Sequence, residues 1–234
     1  LTHRTTTSPV TARIVWDWNG TVRDDVDDHV AALNATLPAL GGKPVSVDTY
    51  RSQHRVPIRS FYDHLLGRTI SDQEWESNDA AFLAVLDQRP VRLTAGARSW
   101  MMTLRARGIG QSLLSLAPHE RLLREVHQVG IAGLLDRVDG RVGPSATSKA
   151  PALTAHLAAL GPNVDPATVV VIGDSADDAV AARAVGAVPV LYSGGLHSAE
   201  RLAGAGVPVV STLDEAVHAG LAAVAERQGV RPWR

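Results

Sequence analysis

A chain of 234 residues, 45% of them hydrophobic, has room for one large domain or for a core with a smaller inserted unit. A net charge of -1 gives no general electrostatic hold on nucleic acid or on an acidic membrane, and the longest apolar runs are strand-sized, well short of the roughly 20 residues of a membrane span. No cysteine is present, which excludes disulfides and thiolate metal sites and fits a cytoplasmic protein, expected as a monomer or homodimer.

Leu1 to Arg13 is Thr-rich and lacks the apolar stretch of a signal peptide, so it reads as a frayed tail. Arg13–Trp16 reads as the first strand. A helical face then recurs at Val26, Val30, Leu33 and Leu37, and Gly41-Gly42-Lys43-Pro44 breaks it. Short helices are predicted over Asp48–His54 and from Pro57 to Leu66. Ser71 with Glu74 three residues on predicts a capped helix through Leu86. After Arg92 strands and helices alternate. Helices are predicted over Ala97–Arg107, Glu120–Val129, Ala150–Leu160 and Asp178–Val185, each followed by glycine, and a last one from Leu213 to Glu226. Strands are predicted over Gln111–Leu116, Thr168–Ile172, Val188–Tyr192 and Val207–Val210. The fold class is therefore α/β, a Rossmann-like parallel sheet with right-handed crossovers. An all-helical cap is inserted after strand one, giving a core of residues 1–23 and 93–234 and a cap of residues 24–92.

Two of the predicted strands deliver an aspartate to a tight turn. Ile14-Val15-Trp16 leads into Asp17, and Val169-Val170-Val171-Ile172-Gly173 leads into Asp174. Neighbouring parallel strands that end this way bring both carboxylates to one crevice. An aspartate in such a place also serves as a plain turn cap. Two carboxylates a few ångströms apart repel each other and call for a cation. An all-oxygen ligand set favours Mg²⁺, which takes one or two carboxylates and completes its shell with water and substrate phosphate. Asp178, one helical turn beyond Asp174, is placed to support it. Asp177 reads as solvated, and Asp24, Asp25, Asp27 and Asp28 as an acidic helix start. Ser115 closes a strand and is a candidate phosphoryl contact. Lys149 is one of two lysines among 23 basic residues. That rarity marks it as kept for its compact ammonium, suited to neutralising a nucleophile and a transferring phosphoryl group.

The ordered set Asp17-Trp18-Asn19-Gly20-Thr21, Ser115, Lys149 and Gly173-Asp174-Ser175-Ala176-Asp177-Asp178, with a helical insertion after the first motif, resembles the haloacid dehalogenase superfamily. Within it the chain is similar to the phosphoglycolate-phosphatase-like branch with a helical cap. The resemblance spans about Arg13 to Val217. It implies a Mg²⁺-dependent phosphatase acting on a small phosphorylated metabolite through an aspartyl-phosphate on Asp17. It also implies that Ser115 and Lys149 grip the phosphoryl group. Asp17, the Asn19 carbonyl and Asp174 bind metal with Asp178 in support, and Gly20 and Thr21 shape the loop.

Asn19 departs from the pattern. Family phosphatases carry a second Asp there, which protonates the leaving group and then activates water. An amide cannot shuttle a proton at neutral pH. General acid–base catalysis is worth about 10²–10⁴ in rate. The departure keeps open a slow phosphatase and a silent member that binds a phosphorylated ligand or a partner protein. A phosphonatase would need a cap lysine for a Schiff base. The cap offers only Lys43, with none at Val56–Arg59. Metal-free dehalogenases would not need Asp174 and Asp178. For the leaving group, candidate contacts are Trp18, His119 and the cap residues Arg51, His54, Arg55 and Arg59, with Arg51 and Arg55 spaced i,i+4 on one helix face. Trp16 reads as core, and His29, His127, His156 and His218 as surface or boundary residues.

Overall fold

Alternation along two apolar strands decides the layers. Ile14 and Trp16 of β1 (Arg13–Trp16) cluster with Val170 and Ile172 of β4 (Val169–Gly173), while Val15, Val169 and Val171 belong to a separate cluster. Both faces of these strands are buried, as in a sheet covered by helices on each side. In the computed structural model, which describes residues 12–55, 57–143 and 148–231, the sheet has six strands. They are β1, β2 (Gly110–Pro118), β3 (Arg137–Arg141), β4, β5 (Val188–Tyr192) and β6 (Val209–Val210). All pairings are parallel, in the order β3-β2-β1-β4-β5-β6. The central pair β1 and β4 is in register from Arg13 with Val169 to Trp16 with Ile172.

The cap is all helical, as the sequence predicts: α1 (Val26–Thr36), α2 (Val47–Gln53), α3 (Ile58–Leu66) and α4 (Asp72–Asp87). Its own core joins Leu33, Leu37, Tyr50, Phe61, Tyr62 and Ile70. The Ser71–Glu74 capping box opens α4, each partner satisfying the other's amide. In the α/β unit, α5 (Ala97–Ala106), α6 (His119–Gln128) and α10 (Leu213–Gln228) pack on the face that buries Ile14 and Trp16. The opposite face is covered by α7 (Ala150–Leu160) and α8 (Ala176–Val185). Where the chain enters and leaves the cap, its two legs lie side by side: Asp24 N donates to Arg92 O at 3.0 Å and Thr94 N to Val22 O at 2.9 Å.

Two elements escape the sequence reading. β3 has the composition Arg-Val-Asp-Gly-Arg and is only half-buried along its length, so no apolar run marks it; β2 recruits it as an edge strand. The short α9 (Ala199–Ala203) buries only Leu202. Of the predicted tail, residues 1–11 lie outside the described residues, and Arg13 already belongs to β1. Among the described residues no helix is long and apolar enough to cross a membrane.

Candidate active site

The sheet topology delivers the carboxylates. Asp17 follows β1, and its amide donates to Ile172 O on β4 at 2.9 Å, which ties the turn to the neighbouring strand. Asp174 follows β4. Asp178 sits in the first turn of α8, where Ser175 and Asp178 form a capping box. Oxygens of Asp17, Asp174 and Asp178 lie within 4.8 Å of one another, and all three residues are buried. Lys149, at the start of α7, places Nζ 2.5 Å from Asp17 Oδ1 and 2.5 Å from Asp178 Oδ1. Ser115 on β2 is buried and lines the same cavity. Gly20 has φ +71°, and a Cβ there would strike the Asp174 carboxylate and Leu196, so the close approach requires glycine. Thr21 Oγ1 donates to Asp17 Oδ2 at 3.3 Å.

This cluster is electrostatically strained. Burial pushes the Asp17 carboxyl up to about 6; Lys149 pulls against that shift and Asp178 adds to it. Burial, then the charges of Asp17 and Asp178, hold Asp174 well above the usual carboxylate range. Burial opposes the Lys149 charge, yet the two carboxylates beside it win and raise its pKa. Three acids facing one ammonium leave negative charge uncompensated. Asp177 is not free in solvent as expected: it accepts from Lys149 N at 2.7 Å and from Ser148 Oγ at 3.3 Å, so it fixes the lysine's backbone.

Asn19 borders the cavity, but its amide is committed elsewhere. Nδ2 donates to Asp25 Oδ2 at 2.5 Å and lies 3.4 Å from His29 Nε2. Asp25 and His29 are site residues that sequence reasoning missed. Asp25 is fully buried, accepts Gly20 N at 2.8 Å, and meets Arg23 at 3.3 Å and His29 at 3.2 Å. An acidic stretch at a helix start hid it, because nothing local distinguishes the buried acid from Asp24 and Asp27, which are exposed. His156 also departs from expectation: it is buried between Asp139 and Ser112. His127 and His218 are exposed.

Most of the expected leaving-group contacts go elsewhere. Trp18 is fully buried in the sheet-side core and donates to Glu125 at 2.7 Å, so it does not face the cavity. Arg51 reaches across to the carbonyls of Ser193 and His197. α2 ends at Gln53, so Arg55 lies past the helix and shares no helical face with Arg51; its Nε donates to Gln53 O at 3.2 Å. Arg59 binds Asp72 and Ile70 O within the cap. His119 accepts Gly140 N at 3.0 Å and is absent from the cavity wall. Only His54 of this group lines the cavity. Lys43 is exposed and does not line the cavity, and Lys149 is the lysine on the wall among the described residues.

The cavity, about 190 Å³, lies between cap and sheet ends. At its edge His54 meets His197, Nδ1 to Nε2 at 3.1 Å, and His197 Nδ1 lies 2.9 Å from Asp174 O. Donation to that carbonyl leaves Nε2 of the neutral His197 as the acceptor from His54 Nδ1. Burial, then the nearby Arg201 charge, lowers His197 to about 4, and burial, then His197, holds His54 well below the usual imidazole range. A base depressed in the folded state contributes stability above its unfolded pKa near 6.5, lost as pH falls toward the folded value. Relative to His197→Gln, the natural chain is expected to lose up to about 3 kcal/mol of stability between pH 6.5 and 4. Denaturant titrations across that window check it; a difference that stays constant with pH refutes it.

The comparisons with known proteins agree with this architecture. A family model described as haloacid dehalogenase-like hydrolase matches residues 12–186, well over half of the chain. The phosphoglycolate phosphatase of Synechococcus elongatus is 25% identical over 198 residues, covering 82% of this chain and 88% of its own. That of Neisseria meningitidis is 27% identical over 188 residues, covering 76% and 78%. A haloacid dehalogenase-like family hydrolase from Streptococcus pneumoniae shares the fold with a TM-score of 0.75 at 16% identity, over 90% of this chain and 98% of that one. The chain belongs to the haloacid dehalogenase-like hydrolases.

Proposed function

We propose that this hydrolase is a phosphatase, hydrolysing a small phosphate ester through an aspartyl-phosphate on Asp17, with Mg²⁺ as its cofactor. The observation that carries this is the convergence of Asp17, Asp174 and Asp178 with the Lys149 ammonium at the ends of β1 and β4. The donor set fits a hard cation: all oxygen, all buried, with carboxyl pKa values raised first by burial and then by the neighbouring carboxylates. Asp17, the Asn19 carbonyl and Asp174 would hold the ion, with Asp178 supporting it. When bound, it supplies neutralisation of the site's negative charge and of the phosphoryl oxygens.

The remaining work falls to the chain. Lys149 holds Asp17 ionised and aimed, and with Ser115 it grips the phosphoryl oxygens. Asp17 Oδ1 faces Lys149, which leaves Oδ2, held only by the longer Thr21 hydroxyl contact, as the nucleophilic oxygen. The cap closes the cavity against water. We read residues 24–92 as that cap and residues 1–23 with 93–234 as the core, in a cytoplasmic monomer or homodimer that acts on a small molecule and not on nucleic acid. The second reading, a silent member that binds without turnover, draws on Asn19, whose amide is held by Asp25. The test is phosphate release from a panel of phosphomonoesters with Mg²⁺ or chelator, using Asp17→Asn protein as the blank. Release that needs both metal and Asp17 supports the phosphatase; silence across the panel, with ligand binding retained, supports the binder.

A further inference from the structure

Two independent features of the cavity bear on the leaving group. The first is its wall. Beyond the phosphoryl end, the cap side is built from Tyr50, Phe61, Tyr62, Trp75, Phe82 and Leu86. The arginines that would have made an anion pocket are turned to other partners: Arg51 to the loop after β5, and Arg59 to Asp72. The charged cap residue on the wall is Asp79, an acid that burial has raised, and it would repel a second carboxylate. From the core side, Arg121 and Arg141 also reach the wall. Arg121 Nε is held by Glu125 at 2.8 Å and Asp87 at 3.1 Å. Arg141 binds Leu116 O at 3.1 Å and Gly143 O. An anionic leaving group laid against the aromatic rings would lose its hydration there, and the cationic donor left open to it is the buried Arg121 Nη2 on the core side, which has no partner among the described residues.

The second feature is Asn19. It can neither give nor take a proton, and its amide N–H is already bonded to Asp25. The leaving oxygen therefore departs without an acid at this position. A phenol has a pKa of about 10, so phenoxide departs far more readily than an alkoxide, whose parent alcohol is about as weak an acid as bulk water at about 15.7.

We propose that the site takes aryl phosphates: a phosphoryl group on an uncharged aromatic ring, in place of a carboxylate-bearing ester. This rests on the phosphatase reading above and names its substrate class. In the first step an Asp17 oxygen bonds to phosphorus and the bond from phosphorus to the aryl oxygen breaks. Phenoxide leaves with the electron pair and is protonated by solvent. In the second step water attacks phosphorus, the bond to Asp17 breaks, and the water proton passes to solvent with release of inorganic phosphate.

The experiment compares kcat/KM for phenyl phosphate, benzyl phosphate and phosphoglycolate with Mg²⁺, in the natural chain, Asn19→Asp and Asp17→Asn. Phenyl phosphate is expected to exceed benzyl phosphate by at least about 10²-fold, with phosphoglycolate lowest. Asn19→Asp should raise the benzyl ester by about 10²–10⁴ and the phenyl ester far less. Equal rates for the phenyl and benzyl esters overturn the proposal, since another group, such as His29 beside Asn19 on the cavity wall, would then supply the proton. Phosphoglycolate matching phenyl phosphate also overturns it. Calorimetric titration of Asp17→Asn protein with the same esters reads recognition without turnover. Tighter binding of phosphoglycolate than of phenyl phosphate overturns the proposal even if no turnover is seen. Release that persists unchanged in Asp17→Asn instead refutes the underlying phosphatase reading, and the substrate proposal falls with it.

Discussion

Asp17→Asn is expected to abolish phosphate release while making the metal-free protein more stable. Loss of the nucleophile should lower turnover by about 10⁴–10⁶, the scale seen when a nucleophile or the group orienting its base is removed. The stability gain follows from linkage. Burial raises the folded carboxyl to about 6 from its ordinary 3.8, despite the help of Lys149. A carboxyl raised on folding is destabilising above its folded pKa, and that penalty vanishes as pH falls through the folded value toward the unfolded one. At pH 7.5 the neutral, isosteric amide removes the penalty. A gain on the order of 1–3 kcal/mol is expected, shrinking as the pH approaches 4. Urea denaturation in chelator at both pH values measures it. A stability loss at pH 7.5 would mean that the carboxylate is there for folding and not for chemistry.

Lys149 should behave in the opposite way. Its ammonium is buried between Asp17 and Asp178, and removing one partner of a buried ion pair typically costs about 3–5 kcal/mol. Lys149→Met keeps the aliphatic stem and deletes the charge, so the loss isolates electrostatics. Arginine is no conservative choice, because a planar fork does not replace a point charge held by two carboxylates. Phosphate release should be lost as well. A second effect follows: Mg²⁺ and Lys149 neutralise the same carboxylates, so added Mg²⁺ should raise the melting temperature more in Lys149→Met than in the natural chain. Equal shifts in the two proteins, or none, would refute a metal site at these three acids.

Much of this was legible in the sequence because it is local. β1 and β4 are apolar runs, each ending in one acid, and glycine marks the ends of several helices. Lys149 stands out because all but two of the 23 basic residues are arginine. The misses are non-local. No local pattern tells which carbonyl a guanidinium will reach, and Arg51, Arg55 and Arg59 all found partners away from the cavity. Trp18 looked like a pocket residue by its place beside Asp17, but Glu125, 107 residues later, captures its indole. Asp25 and His197 matter through burial, a property that only the assembled tertiary structure confers.

The loop after β5 serves two sides at once. Its Ser193 and His197 carbonyls receive Arg51 from the cap, and His197 also meets His54. The same loop donates the Leu196 amide to Asp174 at 2.5 Å, and Gly195 packs against Gly20 without room for a side chain. A clasp that is also a strut ties the cap's hold on this loop to the position of the Leu196 amide beside Asp174. The Leu196 amide favours the ionised form of Asp174, so a displacement of the loop that Arg51 and His54 hold is felt in the charge of the site.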